Sequence, residues 1–354
     1  MKRFLACNVI CLLLAFTSWA DPPGFRRASE KRRLTFPGDH RPHTGFKTEW
    51  WYYTGFLTDA EGQRYGFQFT VFKIEQRPNL SGSNSEPGTY FMVHFTLTDD
   101  ANRTFYQTER IQRLFPGLAG MAGDGELYVA NQKLKIADRH QIHASSSEGI
   151  SLALDLRSEL GPVLQGKNGF SPKGFDPGNA SHYYSFIDLN GTGTLRVRDK
   201  TLSVKATAWM DHEFASNALA SDQTGWDWFH FNLKDGRKFV VFRVRSETNR
   251  IYRYAREFTK AGFVRDIHKP EFKPGRTWQA PSGATYPLDW ELVLADCRIV
   301  AKPWIDDQEL RPAFSKIYYW EGAIEGEAVC DGKPVGIQGY MELTGYKDKM
   351  KGRF

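Results

Sequence analysis

Asp211, Glu213 and Trp209 alternate along one stretch, Ala208-Trp-Met-Asp-His-Glu213. On a strand all three project from one face, because successive residues point to opposite sides. A carboxyl held in apolar surroundings loses its hydration and stays neutral, so it can give up a proton on demand. Two carboxyls on one face can share a proton, which raises one of their pKa values. The alternative for Glu213 is a cap on the turn that follows, and His212 would face the other way. Glu49 opens Glu49-Trp50-Trp51, where a buried, paired structural charge is favoured over ligand contact. Asp39-His40-x-x-His43 invites a metal reading. Two histidines without a clear third ligand are weak support, Pro42 argues against a helix presenting them, and no metal is expected. There is no Gly-x-Ser-x-Gly elbow, no His-Glu-x-x-His, no glycine-rich dinucleotide loop and no local signature of a nucleophilic cysteine. No cofactor is expected.

The elements that must position these residues are strands. Aromatic-rich alternating runs are separated by short turns. Trp50–Thr58 returns as Arg64–Lys73 through Asp59-Ala-Glu-Gly62, and Tyr90–Leu97 turns at Asp99-Asp-Ala-Asn102. Later pairs are Trp226–Leu233 with Phe239–Arg245, Tyr252–Phe258 with Phe263–Ile267, and Ile324–Val329 with Val335–Leu343. Hairpins in series predict an all-β protein whose antiparallel sheets close into barrels and so avoid open edges. A duplication predicts two of them. Trp51–Leu57 and Phe67–Phe72 open the first half as Trp226–Leu233 and Phe239–Val244 open the second. Gly191 lies 18 residues before Trp209-Met-Asp211, and Gly322 lies 18 before Tyr340-Met-Glu342. The expected domains are 36–214 and 220–350, and the irregular Gly161–Ser181 stretch is expected to cover a barrel mouth. Trp51, Tyr53 and Trp228 are candidate pocket residues.

Residues 1–20 read as a secretory signal. Lys2 and Arg3 precede an apolar run too short for a comfortable membrane span, and Ser18-Trp-Ala20 suits cleavage after Ala20. The mature chain is then periplasmic or secreted and is not an integral membrane protein. The net charge of +6 falls to +4 once the two signal cations are removed, and the remaining cations are scattered among acids. The one dense run, Arg26-Arg27 to Lys31-Arg32-Arg33, is expected to be a solvated arm, so nucleic acid is not an expected partner. Cys297 and Cys330 are the two cysteines beyond the signal. A disulfide between them and two separate core thiols are both open at this point.

Longer motifs carry a family resemblance. Asp39-His-Arg-Pro-His43, Thr48-Glu-Trp-Trp-Tyr-Tyr-Thr-Gly55, Gly178-Asn-Ala-Ser-His-Tyr-Tyr-Ser185, Ala208–Glu213, Gly225-Trp-Asp-Trp228, Tyr319-Trp-Glu-Gly322 and Gly339–Tyr346 follow one another in order. The chain resembles the AttH-type predicted secreted hydrolases of the carotenoid 1,2-hydratase superfamily from about Phe36 onward. That resemblance implies two lipocalin-like domains but not one activity, since relatives include hydratases, pericyclase-like enzymes and exported proteins associated with ABC transporters. In the carotenoid hydratases a His-x-Trp pair and, 29 residues beyond its His, the Asp of a Tyr-x-Asp pair are held responsible. Here His182-x-Tyr184 and Trp209-x-Asp211 stand at that 29-residue spacing with the aromatic partners exchanged. The resemblance therefore implies Asp211 as the acid and His182 as base or water-holder, with Trp209 and Tyr184 lining a pocket. The competing view is that Asp211 and His182 merely tie two strands together. The expected function is binding of a hydrophobic small molecule, an isoprenoid, fatty-acyl or polyketide; the expected activity, if there is one, is hydration of an alkene or a related acid-catalysed isomerisation or cyclisation of it. The other expectations are a non-catalytic lipid carrier serving an ABC transporter, and a secreted hydrolase.

Overall fold

A computed structural model describes residues 24–77 and 88–350; the signal segment 1–20 lies outside them. Apart from one 3-10 turn at Gly38–His40, the described residues form strands, turns and loops. Thirteen strands between Thr48 and Ala215 make the first sheet and ten between Gln223 and Thr344 make the second, with a separate two-stranded ribbon at Thr277–Gln279 and Thr285–Pro287. The first sheet curls until it is nearly closed and the second remains a half-barrel, so the protein is all-β with two lipocalin-like units.

Both sheets are wound the same way. In each, the opening strand pairs with the closing strand of the same sheet: Thr48–Asp59 with Lys200–Ala215, and Gln223–Leu233 with Lys333–Thr344. The duplicated motifs therefore lie side by side within each half. The strands are longer than the apolar runs alone suggest. Ala180–Val197 and Lys200–Ala215 span 18 and 16 residues, because polar ends continue the ladder beyond the core.

Each sheet encloses its own core. Trp51, Tyr53, Phe67, Phe69 and Met210 belong to the first, and Phe229, Phe231, Trp290, Trp320 and Met341 to the second. A third cluster lies between the halves and draws Tyr52, Phe56, Tyr183 and Trp209 from one side and Trp228, Phe242 and Tyr340 from the other. Tyr52 also bridges the halves, donating its hydroxyl to Glu321 Oε1 at 2.7 Å.

Two expectations change. The Gly161–Ser181 stretch is not a barrel cover. Val163–Leu164 and Phe170–Pro172 pair with Ala180–Val197, and Asp176, Pro177 and Asn179 reach the seam between the halves. Gly166 is required there, because φ is +59° and an added Cβ would lie 2.1 Å from the Phe170 carbonyl oxygen. The basic run is not wholly a solvated arm either. The Arg26 N–H donates to the Gly45 carbonyl at 2.7 Å, Ala28 is buried, and Arg32 pairs with Asp39 at 2.5 Å.

Cys297 and Cys330 stand opposite each other on neighbouring strands and form a disulfide that closes a 33-residue separation. Restricting that loop in the unfolded chain is worth about 3–4 kcal/mol. Urea unfolding of the protein with and without reductant should show a stability loss of that order, reproduced by Cys297→Ser with Cys330→Ser.

Candidate functional site

A cavity of about 590 Å³ opens along the seam. The first half supplies Trp50, Tyr52, Tyr183, Asp211 and Glu213, and the second supplies Trp226, Trp228, Phe242, Tyr319 and Glu342. Alternation puts them there. Tyr52 stands opposite Asp211 and Trp50 opposite Glu213, so the even-numbered aromatics of the opening strand share a face with these acids.

Asp211 is 3% exposed and accepts three hydrogen bonds: from the Tyr183 hydroxyl at 2.7 Å, the Ser185 hydroxyl at 2.5 Å and Trp209 Nε1 at 2.7 Å. Burial outweighs these donors and pushes its carboxyl up to about 7. Glu342 accepts from Trp226 Nε1 at 2.9 Å, and burial, with Asp211 and Glu213 adding repulsion, pushes it up to about 8. Glu213 is raised by burial against the pull of Lys173, whose ammonium lies 2.7 Å from its Oε2. Lys173 also sits over the rings of Tyr183 and Phe242. The cavity thus combines aromatic walls with carboxyls that hold protons near neutral pH, which suits giving and taking protons and stabilising a transient cation.

The structure brings together Asp211, Glu213 and Trp228 at the cavity. Trp209 supports Asp211 through its indole N–H and stacks on His230, with ring centroids 5.2 Å apart. His182, Tyr184, Trp51 and Tyr53 are not there. His182 pairs across the ladder with Phe214, three residues from Asp211, and an odd offset puts it on the opposite face. The expected His182–Asp211 pairing does not form, and His182 instead accepts the Ser29 N–H at 3.3 Å. Tyr183, Tyr52, Trp226 and Glu342 do line the cavity. Each of the first three adjoins, or lies two residues from, a residue singled out in the sequence, and Glu342 lies in the motif that duplicates Asp211.

The opposite face builds a separate polar network inside the first barrel. His43 Nδ1 lies 2.6 Å from Glu49 Oε1, and its Nε2 lies 2.8 Å from Asp39 Oδ1. His212 Nε2 meets the same Glu49 oxygen at 2.7 Å, and its Nδ1 meets the Tyr184 hydroxyl at 2.7 Å. That hydroxyl also lies 2.8 Å from His40 Nδ1. Glu49 is therefore buried against histidines, and it is not neutral. Burial would raise it, but His43 and His212 lower it to about 2. Burial would lower His43, yet Glu49 and Asp39 raise it. Among the described residues, His43, Glu49 and His212 are the one group whose ligand atoms come close enough for a metal, within 4.8 Å. Their facing atoms already satisfy one another, so hydrogen bonding accounts for the arrangement.

The AttH-like family model matches residues 27–346. The chain belongs to the AttH-like family. An AttH protein structure from Nitrosomonas europaea is 31% identical, with a TM-score of 0.82 over 91% of this chain and 99% of that one. Kievitone hydratase from Nectria haematococca is 17% identical, with a TM-score of 0.72 over 93% and 98%. CghA with Sch210972 is 11% identical, with a TM-score of 0.53 over 92% and 98%. The last two likenesses are of fold. No curated protein sequence matches.

The two networks make opposite demands on pH. Unfolded, Asp211 and Glu342 release protons above 3.8 and 4.5; folded, they keep them to about 7 and 8. The folded state binds more protons across that interval, so stability falls as pH rises through it. Glu49 contributes stability that is present above 4.5 and lost as pH falls towards 2. Melting curves of Glu342→Gln should therefore show a gain over the parent that is larger near about pH 8 than near about pH 4, on the order of a few kcal/mol. Glu49→Gln should destabilise at neutral pH and lose that effect in acid.

Proposed function

We propose that this chain is an acid–base enzyme of hydratase type, acting on an apolar unsaturated molecule held in the seam between its two halves. Asp211 is the carboxyl that exchanges a proton with the bound molecule or with its attacking water. The observation that carries this reading is Asp211 itself, nearly unexposed, at an aromatic-walled cavity, with its carboxyl at about 7. A titration midpoint near the working pH lets one group both give and take a proton. The cavity volume of about 590 Å³ suits an isoprenoid, fatty-acyl or polyketide fragment. Kievitone hydratase, with the same fold, is named for water addition, which agrees with this chemistry.

Export to the periplasm or beyond belongs to the same proposal. The Cys297–Cys330 disulfide supports it, because such bonds persist in oxidising compartments. A carrier role for a lipid, in company with an ABC transporter, draws on the same aromatic cavity but leaves the carboxyls without a task.

The test is incubation of the purified protein with an apolar extract of its own cells in deuterated water, read by mass spectrometry. A product heavier by one water, or deuterium entering at an alkene carbon, is expected. Asp211→Asn should lower that turnover at least about a hundredfold while retention of the bound molecule changes only a few-fold. Binding without either product, and without any effect of Asp211→Asn, would leave the carrier.

A further inference from the structure

The duplication delivers a second carboxyl to the same cavity. Trp209-Met210-Asp211 and Tyr340-Met341-Glu342 lie on the closing strands of the two sheets. Asp211 stands opposite Tyr52 of its opening strand, and Glu342 stands opposite Trp228 of its own. On the other side Asp211 faces Ser185 and Glu342 faces Glu321. The skeletons correspond, but the surroundings do not.

Asp211 receives three donors, from Tyr183, Ser185 and Trp209, which together suit a carboxylate. Among the described residues, Glu342 receives only the Trp226 N–H. Where the first half has a serine donor, the second has Glu321, a fully buried acid with one oxygen on the Tyr52 hydroxyl and the other without a partner among the described residues. Of Asp211 and Glu342, the donor-rich Asp211 favours the anion and the donor-poor Glu342, flanked by acids, favours the neutral form.

We infer that Glu342 is the second catalytic carboxyl of the cavity and its proton donor, and that Asp211 is the anionic partner that receives the proton of the attacking water. This reverses the role that the family resemblance implied for Asp211, and it rests on the hydratase-type reading above. The Glu342 carboxyl protonates one alkene carbon and becomes a carboxylate. The adjacent carbon is left as a cation against the aromatic walls. Water adds there, and its released proton passes to Asp211. The net change is one water added across the double bond. Return of that proton from Asp211 to Glu342 restores the starting state. Burial pushes both groups up, and Asp211 is among the charges that raise Glu342. The other ionisable groups at or behind this part of the cavity are Glu213 with its partner Lys173, Glu321, Tyr52, Tyr319, and, at the rim, Arg27, Lys47 and Asp176.

Infrared titration of the substrate-free protein tests the division of roles. A component of the protonated-carboxyl stretch that titrates at about pH 8 should be lost in Glu342→Gln, leaving the contributions of Asp211 and of Glu321, which burial also raises. In Asp211→Asn that component should remain but titrate at lower pH, its proton affinity down about tenfold, because the neighbouring charge is gone. Trp226→Phe removes the indole donor and should move the same component to higher pH, a readout independent of Glu342→Gln. Loss of that component in Asp211→Asn, with its survival in Glu342→Gln, would overturn the inference. Turnover with the apolar extract separates the two proposals. Loss in both variants is expected; loss in Asp211→Asn alone overturns the Glu342 role and leaves the enzyme reading standing; loss in neither overturns the assignment of both carboxyls, and no turnover in the parent overturns the enzyme reading itself.

Discussion

The strand Lys200–Ala215 pairs on one side with Thr48–Asp59 and on the other with Ala180–Val197, and its C-terminal half is covered on both faces. That double burial is the constraint on which the rest of the structure depends. A half-solvated strand can carry a charged side chain on its wet face at little cost. Here every side chain from Trp209 to Ala215 must meet protein on whichever face it points to. Met210 fills the first barrel while Trp209 fills the seam. His212 must then find Glu49 and Tyr184, and Asp211 must find Tyr183, Ser185 and Trp209. A slip of one residue in register would exchange these sets and leave both unsatisfied.

The two faces resolve the cost of buried polar groups in opposite ways. Inside the first barrel the acids meet histidines and Arg32, and the carboxylates of Asp39 and Glu49 stay charged because partners reach them directly. In the seam Lys173 serves Glu213, and at the rim Arg250 pairs with Asp176. Asp211, Glu342 and Glu321 have hydroxyl or indole donors instead of cations. Such donors offset part of the desolvation cost of an anion and cannot cancel it, so these carboxyls hold protons far above their usual range. One face is thereby a charged clasp, and the other holds carboxyls that exchange protons near neutral pH or above it.

Much of the fold was legible in the sequence because hairpins are local. The run Trp50–Thr58 became a strand extended through Thr48, Glu49 and Asp59, and Arg64–Lys73 became one extended only at its end, by Ile74 and Glu75. The paired aromatic-Met-acid motifs were legible as well. The faces were harder. Alternation correctly grouped Trp209, Asp211 and Glu213, since it works within one strand. It is silent between strands, where the family resemblance, through its 29-residue spacing, sets His182 beside Asp211. The register that separates them, His182 against Phe214, is fixed by the length of the Val197–Lys200 turn and the irregularity between Phe186 and Leu189. Tyr183 and Tyr52 were missed for the same reason, one position from Tyr184, Trp51 and Tyr53. The disulfide was equally a matter of register, because Cys297 and Cys330 meet only once their strands are aligned.

The duplication explains why the acids converge at all. Two copies of one winding, packed with their closing strands towards a common seam, bring whatever residue follows the aromatic-Met pair into the same cavity. In a symmetric arrangement both would be the same acid in the same surroundings, competing equally for one proton. The copies differ at the position opposite, Ser185 in one and Glu321 in the other, and in the number of donors each acid receives. That difference breaks the tie. A pair of carboxyls with unequal neighbours has a preferred location for its proton and a preferred direction for its transfer, which is what chemistry on a bound alkene would require and what a mere packing contact would not.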